Sequence, residues 1–167
     1  MQSYYDKLRL KILREKEAEY ISTKLREQRK KIVFTNGCFD IIHKGHIKLL
    51  FDAKSLGDVL FVGLNSDLSI KRIKGEKRPI IPQKERAIVL SSISAVDFIV
   101  IFEEDTPEKI IKSIKPDIIV KGEDWEEERI VGADFVKERG GKIIRIKLEK
   151  GNSTTQIIET ILERYKS

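Results

Sequence analysis

Cysteine occurs once, at Cys38, so no disulfide can close within the chain, and the residue fits a reducing compartment. Methionine and tryptophan also occur once each, histidine twice and proline four times. Aromatic residues make up only 7% and do not interleave with basic ones, which argues against a stacking nucleic-acid module. No apolar run approaches the length of a membrane span, and the charged start, Met1 to Lys16, lacks the apolar core of a secretion signal. The expected location is cytoplasmic, with neither membrane nor nucleic acid as partner. A Gly-x-Gly-x-x-Gly turn is missing as well, which sets aside a dinucleotide-dependent oxidoreductase. What is abundant is charge: 36% of residues are Asp, Glu, Lys or Arg, against 40% apolar, with a formal net charge of +6. That excess attracts polyanions in general without choosing among them. The wealth of Lys, Glu and Ile is also a weak mark of heat adaptation. A chain of 167 residues is long enough for one core and too short for a second folded domain beside it.

Residues 1–30 are polar, with Tyr5, Leu8, Ile12, Ile21 and Leu25 at roughly helical spacing, which predicts an N-terminal helix or helix pair. Its apolar stripe needs cover, and a symmetric homo-oligomer, a dimer above all, is the expected source. From residue 31 onward, short β-branched runs alternate with amphipathic stretches: Ile32–Thr35, Val59–Leu64, Phe98–Phe102, Asp117–Val120 and Lys142–Ile146. Runs apolar on both alternating positions are strands covered on both faces. The expected fold class is therefore α/β: a single doubly wound, Rossmann-like domain over 31–167, with a mainly parallel sheet of about five strands. The basic segment Asn65–Pro82, broken by Gly75, Pro79 and Pro82, is expected to be a site loop with at most one short helix, closing over a bound triphosphate.

Both histidines fall just after the first of these strands. Thr35-Asn36-Gly37-Cys38-Phe39-Asp40 leads through Ile41-Ile42 into His43-Lys44-Gly45-His46 at a helix start. Residues three apart share a helical face, so two imidazoles can meet one ligand beside the positive end of the helix dipole. Gly45 keeps the first turn open to a phosphate, and Gly37 frees the strand-to-helix turn.

At these residues the chain resembles the nucleotidyltransferase superfamily marked by His-x-Gly-His. A second superfamily signature, at the start of the last helix, is matched by Gly151-Asn152-Ser153-Thr154-Thr155. The closer resemblance is to bacterial enzymes that adenylylate D-glycero-β-D-manno-heptose 1-phosphate, and it covers residue 31 to the C-terminus. It rests on Phe34 to Asp40, Asn65-Ser66-Asp67, Lys74-Gly75, Arg78-Pro79-Ile80, Val120-Lys121-Gly122 and Val131-Gly132-Ala133-Asp134. Related glycerol 3-phosphate cytidylyltransferases share the look of Gly122-Glu123-Asp124-Trp125, but place arginine where this chain has Leu148.

The resemblance implies a reaction in which ATP and a sugar 1-phosphate give a nucleotide sugar and pyrophosphate. It casts His43 and His46 as the catalytic contacts to the triphosphate, with Phe39, Gly122 and Asp124 near the nucleoside. Gly37, Cys38, Gly45, Ser153, Thr154 and Thr155 complete the expected nucleotide site. An attacking phosphate is already ionised at neutral pH, so positioning and charge stabilisation suffice without a strong base. Imidazoles would then act as donors, with pKa values raised by adjacent phosphate. Lys74 is the loop lysine expected to be catalytic; Asp40, Lys71, Arg78, Arg86 and Trp125 are candidates for substrate contact. Magnesium is expected to arrive on ATP, bridging its phosphates. No dedicated metal cage is apparent: the acidic cluster Glu103-Glu104-Asp105 precedes a Pro-started helix, where acids suit the dipole.

Overall fold

The computed structural model describes residues 3–147 and 153–166. The five expected strands form a parallel sheet, and a sixth, short strand joins them. In chain order they are β1 (Ile12–Leu13), β2 (Ile32–Gly37), β3 (Val59–Asn65), β4 (Phe98–Phe102), β5 (Ile118–Gly122) and β6 (Lys142–Ile146). The helices are α1 (Tyr4–Arg9), α2 (Glu15–Glu27), α3 (Lys44–Lys54), α4 (Asp67–Lys74), α5 (Gln83–Ser91), α6 (Glu108–Ile114), α7 (Ala133–Glu138) and α8 (Thr154–Arg164). Among the described residues no helix is long and apolar enough to cross a membrane.

Alternation along the strands builds two cores. Val33, Leu60, Val62, Leu64 and Ile99 face one side, where Leu50 of α3 and Leu90 of α5 cover them. Ile32, Phe34, Phe61 and Ile119 face the other, against Ile111 and Ile114 of α6 and Val136 of α7. These side chains are fully buried, and each contributes about 1.5–3 kcal/mol of burial free energy.

The helix pair predicted for the N-terminal segment is interrupted by β1, whose residues pair with β4 in the register Ile12↔Ile99 and Leu13↔Val100. The reason is visible in the packing: Ile12 joins one core and Leu13 the other, a two-sided burial that a single helical stripe cannot give. The stripe on α2 is covered within the chain. Ala18, Ile21 and Leu25 lie in the second core, and the Arg26 guanidinium donates to the Ile114 carbonyl at the end of α6. The α2 part of the stripe is thus covered by α6, while Tyr5 on α1 stays half exposed.

The sheet order β1-β4-β3-β2-β5-β6 places a reversal at β2, which pairs with β3 on one side and β5 on the other. A crevice opens at such a switch point beyond the carboxyl ends of the strands. Asn36 and Gly37 close β2 there, and Lys121 and Gly122 close β5.

Candidate active site

The turn from β2 to α3 lies at this crevice. Phe39 adopts a left-handed backbone, φ 44°, unusual for a residue with a bulky side chain. The turn brings its buried ring back over Gly37, where an added Cβ would stand 3.1 Å from the ring, so Gly37 is needed for close approach. The same ring packs 5.1 Å from that of His46. Phe39, expected near the nucleoside, is a core residue that braces the turn into α3.

His43 is the N-cap residue of α3 and His46 lies in its first turn, with the buried Gly45 between them. The imidazoles stack with centroids 3.8 Å apart and planes 25° from parallel. His43 makes no capping bond with its side chain, which leaves the helix start open to an anion. Among the described residues, the buried side-chain polar atoms without a hydrogen-bond partner are Thr35 Oγ1, Asn36 Oδ1, His43 Nδ1 and His46 Nδ1. All four fall within twelve residues of chain at one end of the sheet. Buried polar atoms are ordinarily paired, so this concentration marks a place built to receive a polar ligand. Burial, and then the neighbouring His43, push His46 down to about 4, and burial lowers His43 as well. The ligand-free site therefore holds neutral imidazoles at neutral pH, and the upward shift expected from phosphate has to come from the ligand.

Around this open turn the other candidates are bonded to one another. The Asp40 carboxylate is wholly buried and accepts from Arg78 Nε at 2.7 Å and from the Ile80 and Ile81 amides at 2.9 Å. Burial alone would raise its pKa, but those donors outweigh it and hold the carboxyl below its usual range. Arg86 is wholly buried too. It donates to the carbonyls of Ile81, Cys38 and Asn65 and pairs with Asp67 at 2.7 Å. Three of the five candidates for substrate contact, Asp40, Arg78 and Arg86, thus fix the 78–86 segment against the β2 turn. Burial raises the Cys38 thiol away from a nucleophile's range, while its carbonyl serves Arg86.

Asn65–Pro82, expected as a site loop with at most one short helix, contains the one helix α4, capped by Ser66 Oγ, followed by a stretch held down by Asp40. Lys71 and Lys74 sit exposed on the last turn of α4, Lys71 within 3.4 Å of Glu76 and Lys74 near enough to Cys38 to lower its thiol slightly. Ser153 caps α8 by accepting from the Gln156 amide at 3.1 Å. Thr154 Oγ1 donates to the Ile41 carbonyl at 3.5 Å, joining the start of α8 to the chain leading into α3, while Thr155 is exposed. Leu148, Gly151 and Asn152 lie outside the described residues. Across the crevice, Gly122 is buried, Asp124 is exposed and Trp125 is about half exposed.

A family model described as cytidylyltransferase-like matches residues 34–160, from β2 into α8. The chain belongs to the cytidylyltransferase-like family. It is a nucleotidyltransferase. Among its curated relatives, the bifunctional protein HldE of Syntrophotalea carbinolica is 52% identical over 141 residues, 84% of this chain and 29% of that protein. The protein of the same name from Nitratiruptor sp. is 56% identical over 143 residues, 86% of this chain and 30% of the relative. The chain therefore spans less than a third of the length of these relatives. A lipopolysaccharide core biosynthesis protein from Thermoplasma volcanium shares the structure with a TM-score of 0.62 at 33% identity, over 72% of this chain and 99% of that one. Pantoate-beta-alanine ligase from Francisella tularensis shares the fold at 19% identity and a TM-score of 0.60, over 89% of this chain and 76% of that one.

In this nucleotidyltransferase the feature that sequence reasoning passed over is the side chain of Lys121. It is buried at the crevice end of β5, its Nζ 3.4 Å from the Asn36 carbonyl oxygen and 5.0 Å from the centre of the Trp125 ring. The available signal was a lysine continuing the apolar run Ile118-Ile119-Val120 before Gly122.

Proposed function

We propose that the chain transfers AMP from ATP to D-glycero-β-D-manno-heptose 1-phosphate, giving ADP-heptose and pyrophosphate, for lipopolysaccharide core precursors. The observation that carries a phosphate-transfer site is the cluster of unpartnered buried polar atoms ending in the stacked imidazoles at the start of α3. The sugar phosphate oxygen attacks the α-phosphorus in line, and pyrophosphate departs on the opposite side. His43 and His46 donate to the oxygens where charge accumulates, their protonated forms favoured once phosphate is beside them. In this reading Lys74 and Lys71, in the last turn of α4, neutralise phosphate, and the amides at the start of α8 add donors. The heptose assignment is supported by the string of matched residues from Phe34 to Asp134 and by the identity to HldE proteins.

Among the described residues no group of three or more His, Cys, Asp or Glu gathers in a way that suits a metal ion. In the proposed reaction magnesium arrives with ATP and would be held by phosphate oxygens and water, where its charge would offset that of the triphosphate. The working unit is proposed to be a homodimer, tested by sedimentation; a monomeric mass at micromolar concentration would end that part.

A second reading, cytidylyl transfer to glycerol 3-phosphate, is favoured by one observation: Gly122-Glu123-Asp124-Trp125 at the crevice end of β5. Pyrophosphate release, measured with four nucleoside triphosphates crossed against sugar and polyol phosphates, separates the two. ATP with heptose 1-phosphate is expected to give the highest kcat/KM, and a higher value for CTP with glycerol 3-phosphate would overturn the assignment.

A further inference from the structure

A lysine side chain in the interior normally faces a carboxylate or carries its ammonium out to water. Lys121 does neither. It is only 9% exposed, and among the described residues it forms no ion pair. Among the described residues its three N–H donors find one protein acceptor, the Asn36 carbonyl, at the long distance of 3.4 Å. The face of Trp125 offers a weak second contact at 5.0 Å. An aliphatic side chain would fill the same space without the cost of burying a charge. The position is also special: Lys121 closes β5 and Asn36 lies near the end of β2, so the ammonium stands where the strand order reverses.

We propose that Lys121 is a substrate-phosphate anchor, its Nζ pairing with an anionic phosphate oxygen in the crevice between β2 and β5. The inference rests on the nucleotidyltransfer reading and adds a binding residue to that site. A phosphate meets every requirement of the buried ammonium, because it brings several acceptors and the missing negative charge together. Two substrates of the reaction carry such a group, the nucleotide and the sugar 1-phosphate, and the chemistry at Nζ is the same for both.

The surroundings favour a charge that responds to its ligand. Burial lowers the Lys121 pKa to about 8, and Asp124 and then Cys38 oppose that only in part. Asp124 is exposed, and the Cys38 thiol is itself pushed up by burial, so neither supplies a close counter-charge near neutrality. A phosphate binding the protonated amine would raise that pKa. The contribution of Lys121 to affinity should therefore be full below about 8 and fall as pH rises through it, by up to tenfold per unit.

Trp125 is the sole tryptophan of the chain and lies beside Nζ, so its fluorescence reports occupancy without any turnover. Dissociation constants would be measured that way for ATP, heptose 1-phosphate, inorganic phosphate and adenosine, with the native chain, Lys121→Met and Lys121→Arg. The expected result is at least tenfold weaker binding of one phosphate ligand by the Met variant, unchanged adenosine binding, and recovery to within about threefold by Arg. The pH dependence above 8 should vanish in the Met variant. Loss confined to ATP identifies the nucleotide as the source, and loss confined to heptose 1-phosphate or inorganic phosphate identifies the acceptor. All phosphate ligands within twofold of native in a folded Met variant, or an equal loss for adenosine, would overturn the proposal. Failure of the heptose assignment appears differently, as no binding of heptose 1-phosphate by the native chain while ATP still responds to Lys121.

Discussion

The start of α3 and the segment from Arg78 to Arg86 flank the same turn after β2, yet they treat their polar groups in opposite ways. In the 78–86 segment every buried charge is satisfied inside the protein: Asp40 by Arg78 and two amides, Arg86 by three carbonyls and Asp67. At the helix start the buried Nδ1 atoms of His43 and His46 have no partner among the described residues. The contrast separates groups that hold the turn in place from groups that wait for a ligand. A guanidinium and an imidazole at equal distance from a phosphate are thus not equal candidates. The one whose bonds are already made has little left to offer in the transition state.

The largest expected effect sharpens the waiting side. Replacing His43 or His46 with Ala should lower kcat by about 10²–10³-fold, the loss typical of a transition-state donor. The chain should still fold, with the smaller shift in unfolding midpoint at His43, since neither Nδ1 has a partner among the described residues while the His46 ring also packs on Phe39. Near-normal turnover in a folded double variant would remove the imidazoles from the mechanism.

The bonded side should break in the opposite sense. Asp40→Asn leaves Arg78 without its carboxylate in a site where Asp40 is wholly buried. A loss of about 3 kcal/mol of stability is expected, read from denaturant midpoints, accompanied by loosening of the 78–86 segment in hydrogen exchange. A stable Asn variant with normal protection but greatly reduced turnover would instead return Asp40 to the substrate.

The smallest effect concerns pH. His46 titrates near 4 in the folded chain and near 6.5 when unfolded, so its folded pKa is depressed. Below about 6.5 the unfolded chain takes up a proton that the folded chain refuses, so stability is present above that pH and is lost as pH falls toward 4. Between pH 7 and 5 the native chain should lose roughly 2 kcal/mol more than His46→Gln does. Parallel pH curves for the two would show that burial does not hold the imidazole neutral. Saturating ATP should flatten the native slope, because phosphate favours the protonated ring.

The sequence by itself determined the parallel α/β fold and the location of the His43–His46 pair. β-branched runs at β2 to β6 state two-sided burial in their composition, and a three-residue spacing fixes a shared helical face once the helix exists. The cap at Ser153 is a local device of the same kind, a hydroxyl that accepts from an amide three residues on. Contacts far apart in the chain were not legible. Ile12 fits the helical spacing of Tyr5 and Leu8, yet with Leu13 it also fits a two-residue strand, and only the open edge of β4 decides between them. Arg78 and Arg86 look in sequence like Lys71 and Lys74, basic residues near a loop. Tertiary structure alone brings Asp40 to Arg78, 38 residues away, and Cys38 to Arg86, 48 residues away, and so gives two candidate ligands a supporting role. Lys121 is the converse case: an ordinary lysine at a strand end in the sequence, it becomes a buried, unpaired charge only when β5 lies down beside β2. The physical reason is common to all three. Periodicity reports which way a side chain faces, but the free energy of a charged group depends on what meets it there, and non-local pairing decides that.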